Sequence, residues 1–203
     1  MAELVVDFIT SLDGFAAAEG WPGYWGLEGP EYLAWRGEAP EGDHTVLMGR
    51  KTYQLMYGFF SAARSGAEVR DEERATIDPL GHVQKVVFSS TLDAPLTWAN
   101  SRLVRGDAAE SVRAMKRDGV SMRTIGSLSV CRSLLTAGLV DRFRVAVFPV
   151  ITGRTGRERI YDGYPDVKLD LINVRTFDGR IQMLDYVPTP LASPLPPPGR
   201  ATA

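Results

Sequence analysis

Arg123-Thr124-Ile125-Gly126-Ser127-Leu128-Ser129-Val130-Cys131-Arg132-Ser133-Leu134-Leu135 decides how the chain is organised. Its first residues read as a short strand, Gly126-Ser127 as a corner, and Val130, Leu134 and Leu135 as the buried face of a helix that Gly138 ends. A strand that turns at glycine into a helix leaves unpaired N–H groups at the helix start. Those groups, with the helix dipole, favour a bound phosphate. The same corner also fits a plain turn with an N-cap serine, so the flanking sequence must separate the two. Cys131 falls on the apolar side and reads as a small core residue.

Upstream of this stretch, Asp107-Ala108-Ala109-Glu110 resembles a capping box opening a helix that Gly119 closes, with Ala109, Val112 and Met115 on one face. Downstream, Asp141 to Phe148 alternates and then turns wholly apolar, as a strand entering a sheet interior does. The loop from Thr152 to Arg157 carries Gly153 and Gly156 for tight backbone geometry, and Arg154 and Arg157 for any anion it touches. Val167 to Thr176 and Arg180 to Val187 are strands joined at Asp178-Gly179, a strong hairpin signal. From Pro188 the composition becomes proline-rich, which predicts a domain over residues 1–187 and a disordered or polyproline-like tail over 188–203.

Towards the N-terminus, Leu4 to Thr10 reads as a buried strand, and Ser11-Leu12-Asp13-Gly14 breaks it with a turn. Trp21, Tyr24 and Trp25 follow, and Pro30 opens a short helix through Glu31, Tyr32 and Trp35. This aromatic patch serves either as a core lid or as a stacking wall for a flat heterocycle. Thr45 to Met48 is a second apolar strand; at Gly49 it gives way to a helix beginning Arg50-Lys51-Thr52 and continuing towards Phe59, a second candidate anion corner. The charged segment from Ser61 to Asp78 fits a solvated loop, an exposed helix or a substrate lid. Lys85 to Phe88 is a third strand. Its Ser89-Ser90-Thr91 end either donates to phosphate or closes a turn. Leu103-Val104 is a brief fourth.

Composition narrows the function classes. The 203 residues are 44% hydrophobic and 24% charged, enough for one domain with a substantial core. A formal charge of -2 gives no reason to expect nucleic acid or an anionic membrane as partner. No basic leader with an apolar run, and no apolar stretch near the roughly 20 residues of a membrane helix, is present, so a cytoplasmic protein is expected. One cysteine excludes an intrachain disulfide and a multi-cysteine zinc site, and no metal is expected.

Five motifs then agree in order: Met48-Gly49-Arg50-Lys51-Thr52, Phe88-Ser89-Ser90-Thr91-Leu92, Ile125-Gly126-Ser127, Gly138-Leu139-Val140-Asp141, and Phe148-Pro149-Val150-Ile151-Thr152-Gly153. The set resembles the dihydrofolate-reductase-like superfamily. Its nearer branch is the reductase domain of the bifunctional riboflavin-biosynthesis deaminase/reductase and the standalone proteins similar to it, which the early Ser11-Leu12-Asp13-Gly14 also fits. The match runs from about Glu3 to Val187. Unlike dihydrofolate reductases proper, the corner has Ile125 before a single Gly126, and an ungapped comparison sets Tyr32 where those enzymes carry an acid. A zinc deaminase half is excluded, because His44, His82 and Cys131 cannot supply His-x-Glu and Pro-Cys-x-x-Cys.

The resemblance implies an α/β fold with a mostly parallel central sheet flanked by helices and a C-terminal antiparallel hairpin. It implies NADPH as cofactor, with Gly49, Arg50, Lys51, Thr52, Ser89 and Ser90 along the adenosine and phosphate side, and Arg50 on the 2′-phosphate. Ile125, Gly126, Ser127 and Leu128 would meet the pyrophosphate, and Gly153 would border the nicotinamide. The expected activity is hydride transfer to a C=N or C=O bond of a small flat substrate bound beside Trp25 and Tyr32. Glu31, Asp13 or a bound water would supply the proton. The alternative is a nucleotide-binding or sensing module without efficient turnover. A homodimer is expected, because a terminal hairpin exposes a sheet edge.

Overall fold

In the computed structural model, residues 2–20, 23, 25–38, 42–65 and 77–191 are described. The elements run β1 (Leu4–Ser11), β2 (Phe15–Ala18), α1 (Pro30–Gly37), β3 (Thr45–Gly49), α2 (Arg50–Arg64), β4 (Lys85–Phe88) and β5 (Ser101–Val104). They continue with α3 (Ala108–Arg117), β6 (Met122–Thr124), α4 (Leu128–Thr136), β7 (Arg142–Phe148), β8 (Gly156–Arg159), β9 (Val167–Phe177) and β10 (Ile181–Pro190). Trp21, Tyr24 and most of the charged segment after Ser65 lie outside the described residues.

Eight strands form one sheet in the order β5-β4-β3-β6-β1-β7-β10-β9. The first six in that order are parallel, and β10 and β9 close the far side antiparallel. The expected fold class is the observed one. Parallel strands are covered on both faces, which is why β1, β3, β4 and β7 read as near-continuous apolar runs. Leu47, Val86, Phe88, Phe143 and Val145 pack with Val112, Val130 and Leu134 of α3 and α4 on one face. Their chain neighbours Val46, Met48 and Val87 pack under α2 on the other, with Tyr53 and Trp98. Beside that second group, Tyr32 and Trp35 of α1 cover Phe148, Phe177, Ile181 and Met183.

Three features depart from the sequence-based expectation. The sheet does not stop at Val187: Pro188, Thr189 and Pro190 pair with Leu169, Lys168 and Val167. Leu191 N–H donates to Asp166 O at 2.8 Å, so by strand alternation the two proline nitrogens point away from β9, towards a flank that β7, paired only with Gln182 to Tyr186, no longer covers. Residues 192–203 lie outside the described residues. Secondly, the segment from Gly153 to Arg159 is not a free loop. After a 3-10 turn at Gly153–Thr155 it forms β8, which pairs with β2 in a small second sheet. Arg157 is committed there to Glu19 at 3.1 Å. Thirdly, α2 runs past Phe59 to Arg64.

The hairpin turn is of the primed kind, with φ of 52° at Asp178 and 64° at Gly179 and Arg180 N–H donating to Phe177 O at 2.9 Å. Beneath α1, fully buried Asp185 of β10 faces two arginines of β7: Arg142, bound through Nη2 and through Nε at 3.3 Å, and buried Arg144 at 3.8 Å. Arg144 also stacks on Trp35, 5.5 Å from its ring centroid. Removing the carboxylate takes from buried Arg144 the acid opposite it in the sheet, while Arg142 keeps Glu3 at 3.8 Å. Asp185→Ala should therefore lower the unfolding free energy by about 3–5 kcal/mol in urea titration; a loss under about 1 kcal/mol would mean that water compensates the arginines freely.

Candidate functional site

In a parallel block the chain leaves every strand at the same edge, and that edge collects the polar turns. Read along the strand order, the carboxyl ends of β4, β3, β6, β1 and β7 lead into Ser89-Ser90, Gly49-Arg50-Lys51-Thr52, Ile125-Gly126-Ser127-Leu128, Leu12-Asp13 and Ile151-Thr152-Gly153. Every cofactor-side residue singled out in the sequence thus stands in one row across five neighbouring strands. At about 4.8 Å per strand the row spans roughly 19 Å.

Two helices start in the middle of this row, and both starts are bare. Neither α2 nor α4 has a side-chain N-cap or an acidic residue in its first turn. The other two α-helices among the described residues are closed by carboxylates: Asp107 accepts from Ala109 and Glu110 N–H in α3, and Asp178 accepts from Glu31 and Tyr32 N–H at 2.9 and 3.1 Å in α1. The adjacent N-termini of α2 and α4 therefore present uncompensated positive dipole ends, which suit an anion.

Ser127 holds these two corners together. It does not cap α4 as its sequence position predicts. Its hydroxyl accepts from Gly49 N–H at 2.8 Å and donates to Ile125 O at 3.2 Å. Gly126 and Ser127 are both left-handed, with φ of 52° and 64°, which glycine tolerates readily and serine only under constraint. A Cβ at Gly126 would stand 3.7 Å from Thr52 Oγ1, so the corner lies directly against the first turn of α2. Cys131 backs it: its Sγ donates to Gly126 O at 3.1 Å, and burial pushes the thiol up to about 12.

Arg50 is exposed and makes no hydrogen bond or ion pair among the described residues, whereas Lys51 lies 3.6 Å from Glu158 with both side chains exposed. Ser89 closes its own turn by accepting from Thr91 and Leu92 N–H, both at 3.1 Å. The Ser90 carbonyl accepts from Arg105 Nη1 at 2.8 Å, and Arg105 Nη2 bonds Leu92 O at 2.6 Å. Arg105, absent from the sequence-based site, thus braces the serine turn. Two cavities of about 1010 and 280 Å³ lie along α2 by Trp98 and by Leu96; no residue of the corner row lines either.

At the β1 and β7 ends, Asp13 is a latch. Its carboxylate accepts from Gly153 N–H at 2.8 Å and Thr152 N–H at 3.1 Å. Burial acts to raise its pKa, but hydrogen bonds from the Ser11 side chain and from the Gly153 and Thr152 amides outweigh it and hold the group at about 2. It is ionised at neutral pH and has no proton to give. Leu12 N–H donates to Val150 O at 2.8 Å, fixing the two loops side by side. Leu12 and Ile151, 65% and 71% exposed, form an apolar rim there. The sequence signal for them was available: each is an aliphatic residue just past the end of a buried strand.

The substrate-side expectations fare differently. Tyr32 is 1% exposed and packs edge-on against Phe148 and Phe177, 5.4 and 5.6 Å between centroids, so it belongs to the core and not to an open wall. Trp25 is half-buried with its ring 5.7 Å from Phe148, and its Nε1 is buried without a partner among the described residues. Glu31 is exposed in the first turn of α1, and its carboxylate accepts from Asp178 N–H at 2.6 Å. Glu31 and Asp178 thereby cap each other's backbone across 147 positions of sequence. A Cβ at Gly29 would overlap the Asp178 carboxylate.

Among the described residues no cluster of three or more His, Cys, Asp and Glu could hold a metal ion, and no helix is long and apolar enough to cross a membrane.

The family model for the RibD C-terminal domain matches residues 2–183. An uncharacterised protein of Bacillus subtilis strain 168, YyaP, is 26% identical over 187 residues, covering 90% of this chain and 93% of the relative. Among solved structures, a candidate riboflavin biosynthesis protein from Shewanella sp. PV-4 superposes with a TM-score of 0.69 at 18% identity, over 93% of this chain and 99% of that one. The diaminohydroxyphosphoribosylaminopyrimidine deaminase/5-amino-6-(5-phosphoribosylamino)uracil reductase of Thermotoga maritima gives 0.58 at 15% identity, over 93% of this chain and 57% of that one.

The Asp13 latch sets an acid limb. Its folded pKa of about 2 lies below the ordinary 3.8, so its contribution is complete above about pH 4 and is lost as pH falls towards 2. The stability gap between the wild type and Asp13→Asn should narrow over that interval in denaturant titrations. A gap independent of pH would mean that the carboxylate charge is not what holds Thr152 and Gly153.

Proposed function

This chain belongs to the RibD C-terminal domain family, and from that premise we propose that it is an NADPH-dependent reductase acting on a small flat heterocyclic or carbonyl substrate. The activity resembles the uracil-reductase step in the name of the Thermotoga maritima relative. The observation that carries the proposal is the convergence of the two bare helix starts of α2 and α4 on the Gly126-Ser127 corner.

The residues fit the cofactor. A dinucleotide lying along the row would put its pyrophosphate on the Gly126, Ser127 and Leu128 backbone and on the first turn of α2, where the dipoles are uncompensated. Arg50, exposed and unengaged among the described residues, would take the 2′-phosphate with paired hydrogen bonds. Ser90 and the serine turn braced by Arg105 would border the adenosine. The Leu12 and Ile151 rim, held by Asp13 and Gly153, would offer apolar contact to flat rings and exclude water from their faces. When bound, the nicotinamide supplies the hydride.

The proton is a separate matter. Asp13 is ionised and holds the Thr152 and Gly153 amides, and the Glu31 carboxylate is engaged by the hairpin turn, so we assign the proton to water entering beside the rim. The same observation favours a second reading, a nucleotide-binding module without efficient turnover. Titration with NADPH and NADH, followed by 340 nm absorbance against a panel of pterins, pyrimidines and simple carbonyl compounds, separates the two: binding with oxidation supports the reductase, binding alone the module. Binding of neither nucleotide would refute both.

Arg50→Ala should weaken NADPH about 10- to 100-fold, the loss of one or two charge-assisted hydrogen bonds, and leave NADH nearly unchanged in fluorescence titration. Equal losses for both nucleotides would move the 2′-phosphate contact elsewhere.

A further inference from the structure

Tyr32 belongs to the core, so a flat substrate needs another place, and the sheet face that carries α1 and α2 offers one. On that face α2 lies over β3 and β4, with Val46, Met48 and Val87 beneath it. Further along, α1 covers Phe148, Met183 and Phe177 of β7, β10 and β9. Between the two helices the strand order places β6 and β1. From the middle of β3 and β4 to the middle of β7 and β10 is four strand spacings, roughly 19 Å. Packed helices stand about 8–10 Å apart, so a gap of about 10 Å is left, wide enough for a flat ring.

Strand alternation identifies its floor. Leu4, Val6 and Phe8 of β1 pack on the face of α3 and α4, so Val5, Asp7 and Ile9 point the other way, into the gap. Over Ile9 the gap is bounded by the chain at Gly23, where a Cβ would stand 2.7 Å from Ile9 Cδ1. On β6 the floor continues at half-buried Ile125, which leads directly into the Gly126-Ser127 corner. The α2 wall follows from helical spacing. Thr52 turns towards β6, against Gly126, whereas Tyr53, Tyr57 and Phe60 turn the other way, onto Trp98. Leu55 and Phe59, three and seven residues after Thr52, share its flank and are 46% and 41% exposed although both are apolar.

A charged pair lies at the base. Arg36 of α1 donates from Nη1 to Asp7 Oδ2 at 3.1 Å, and the two side chains are 17% and 12% exposed. The other carboxylate oxygen, Asp7 Oδ1, accepts no hydrogen bond among the described residues. An acceptor without a donor beside an exposed apolar wall is half of a recognition site.

We propose that this gap is the substrate bay and that Asp7 determines what enters it: Oδ1 accepts from a ring N–H while Leu55 and Phe59 cover the apolar part of the ring. The inference rests on the reductase reading and narrows its substrate to a flat heterocycle carrying at least one ring N–H. A fully N-alkylated ring, or a carbonyl compound with no N–H, leaves the Asp7 oxygen unpaired in a half-buried place and is disfavoured.

Lumazine, a flat bicycle with two ring N–H groups, and 1,3-dimethyllumazine, which has neither, test this by calorimetric titration of the full chain with and without NADP+. The wild type should bind lumazine about tenfold more tightly than the dimethyl compound. Asp7→Asn should weaken lumazine about tenfold and bring the two ligands within about threefold of each other. Phe59→Ala, at an exposed position, should weaken both about threefold and keep their ratio. Circular dichroism of each variant checks that the fold is intact. Equal affinities in the wild type, a preference that survives Asp7→Asn, or two ligands indifferent to Phe59→Ala would each overturn the proposal. Binding of NADPH without binding of lumazine would overturn it and leave the reductase reading standing. Failure to bind either nucleotide refutes that reading instead, and the lumazine titrations without NADP+ still decide the role of Asp7.

Discussion

Six parallel strands in a row impose a constraint on everything around them. Each crossover must return over a face of the sheet, so the chain can leave a strand only at one edge, and the turns it makes there are forced into neighbourhood. The polar turns that make up the candidate site are spread from Leu12 to Gly153, yet the order β4-β3-β6-β1-β7 sets them side by side. The antiparallel hairpin of β9 and β10 plays a different part. It supplies Asp178 to the start of α1, Asp185 to the arginines of β7, and the long free edge.

Four carboxylates hold the structure together. Asp107 caps α3, Asp178 caps α1, Asp13 gathers the amides at Thr152 and Gly153, and Asp185 neutralises the arginines of β7. Among the described α-helices, the two starts without such a partner are the two that meet at Ser127. A helix N-terminus without a cap usually costs stability. Two together, bridged by one hydroxyl and backed by a close-packed core, are the feature on which the proposed cofactor site rests.

Much of this architecture could be read from the sequence, for a physical reason. Strands buried on both faces must be apolar almost without interruption, so Leu4 to Thr10, Thr45 to Met48 and Lys85 to Phe88 announce themselves. Asp178-Gly179 supplies the two positive-φ positions that a tight hairpin requires. What the sequence did not show depends on distant partners. Four-residue strands such as β2 and β8 carry no usable period, so the small sheet was invisible. Tyr32 and Trp35, three apart in α1, carry a helical spacing that marks them as core, but the surrounding aromatic residues made an open wall equally readable. Nothing local to Glu31 signals that its carboxylate binds an amide 147 residues away, and nothing local to Ser127 says that its hydroxyl bridges two strands instead of capping its own helix. The proline pair at 188 and 190 misled because proline was weighed by kind and not by parity; alternate prolines are compatible with an edge when their nitrogens face outward.

Cys131 turns the corner into something that can be watched. It is the single thiol of the chain, fully buried, with its sulfur on the Gly126 carbonyl and its ionisation suppressed by burial. While the corner is closed, the sulfur is neither exposed nor a thiolate, and alkylating reagents and peroxide should pass it by. Modification requires the corner to open, so the rate of labelling would report the population of any opened state. A ligand resting on the Gly126-Ser127 backbone would lower that population. The protein thus carries its own chemical reporter at the Gly126-Ser127 corner.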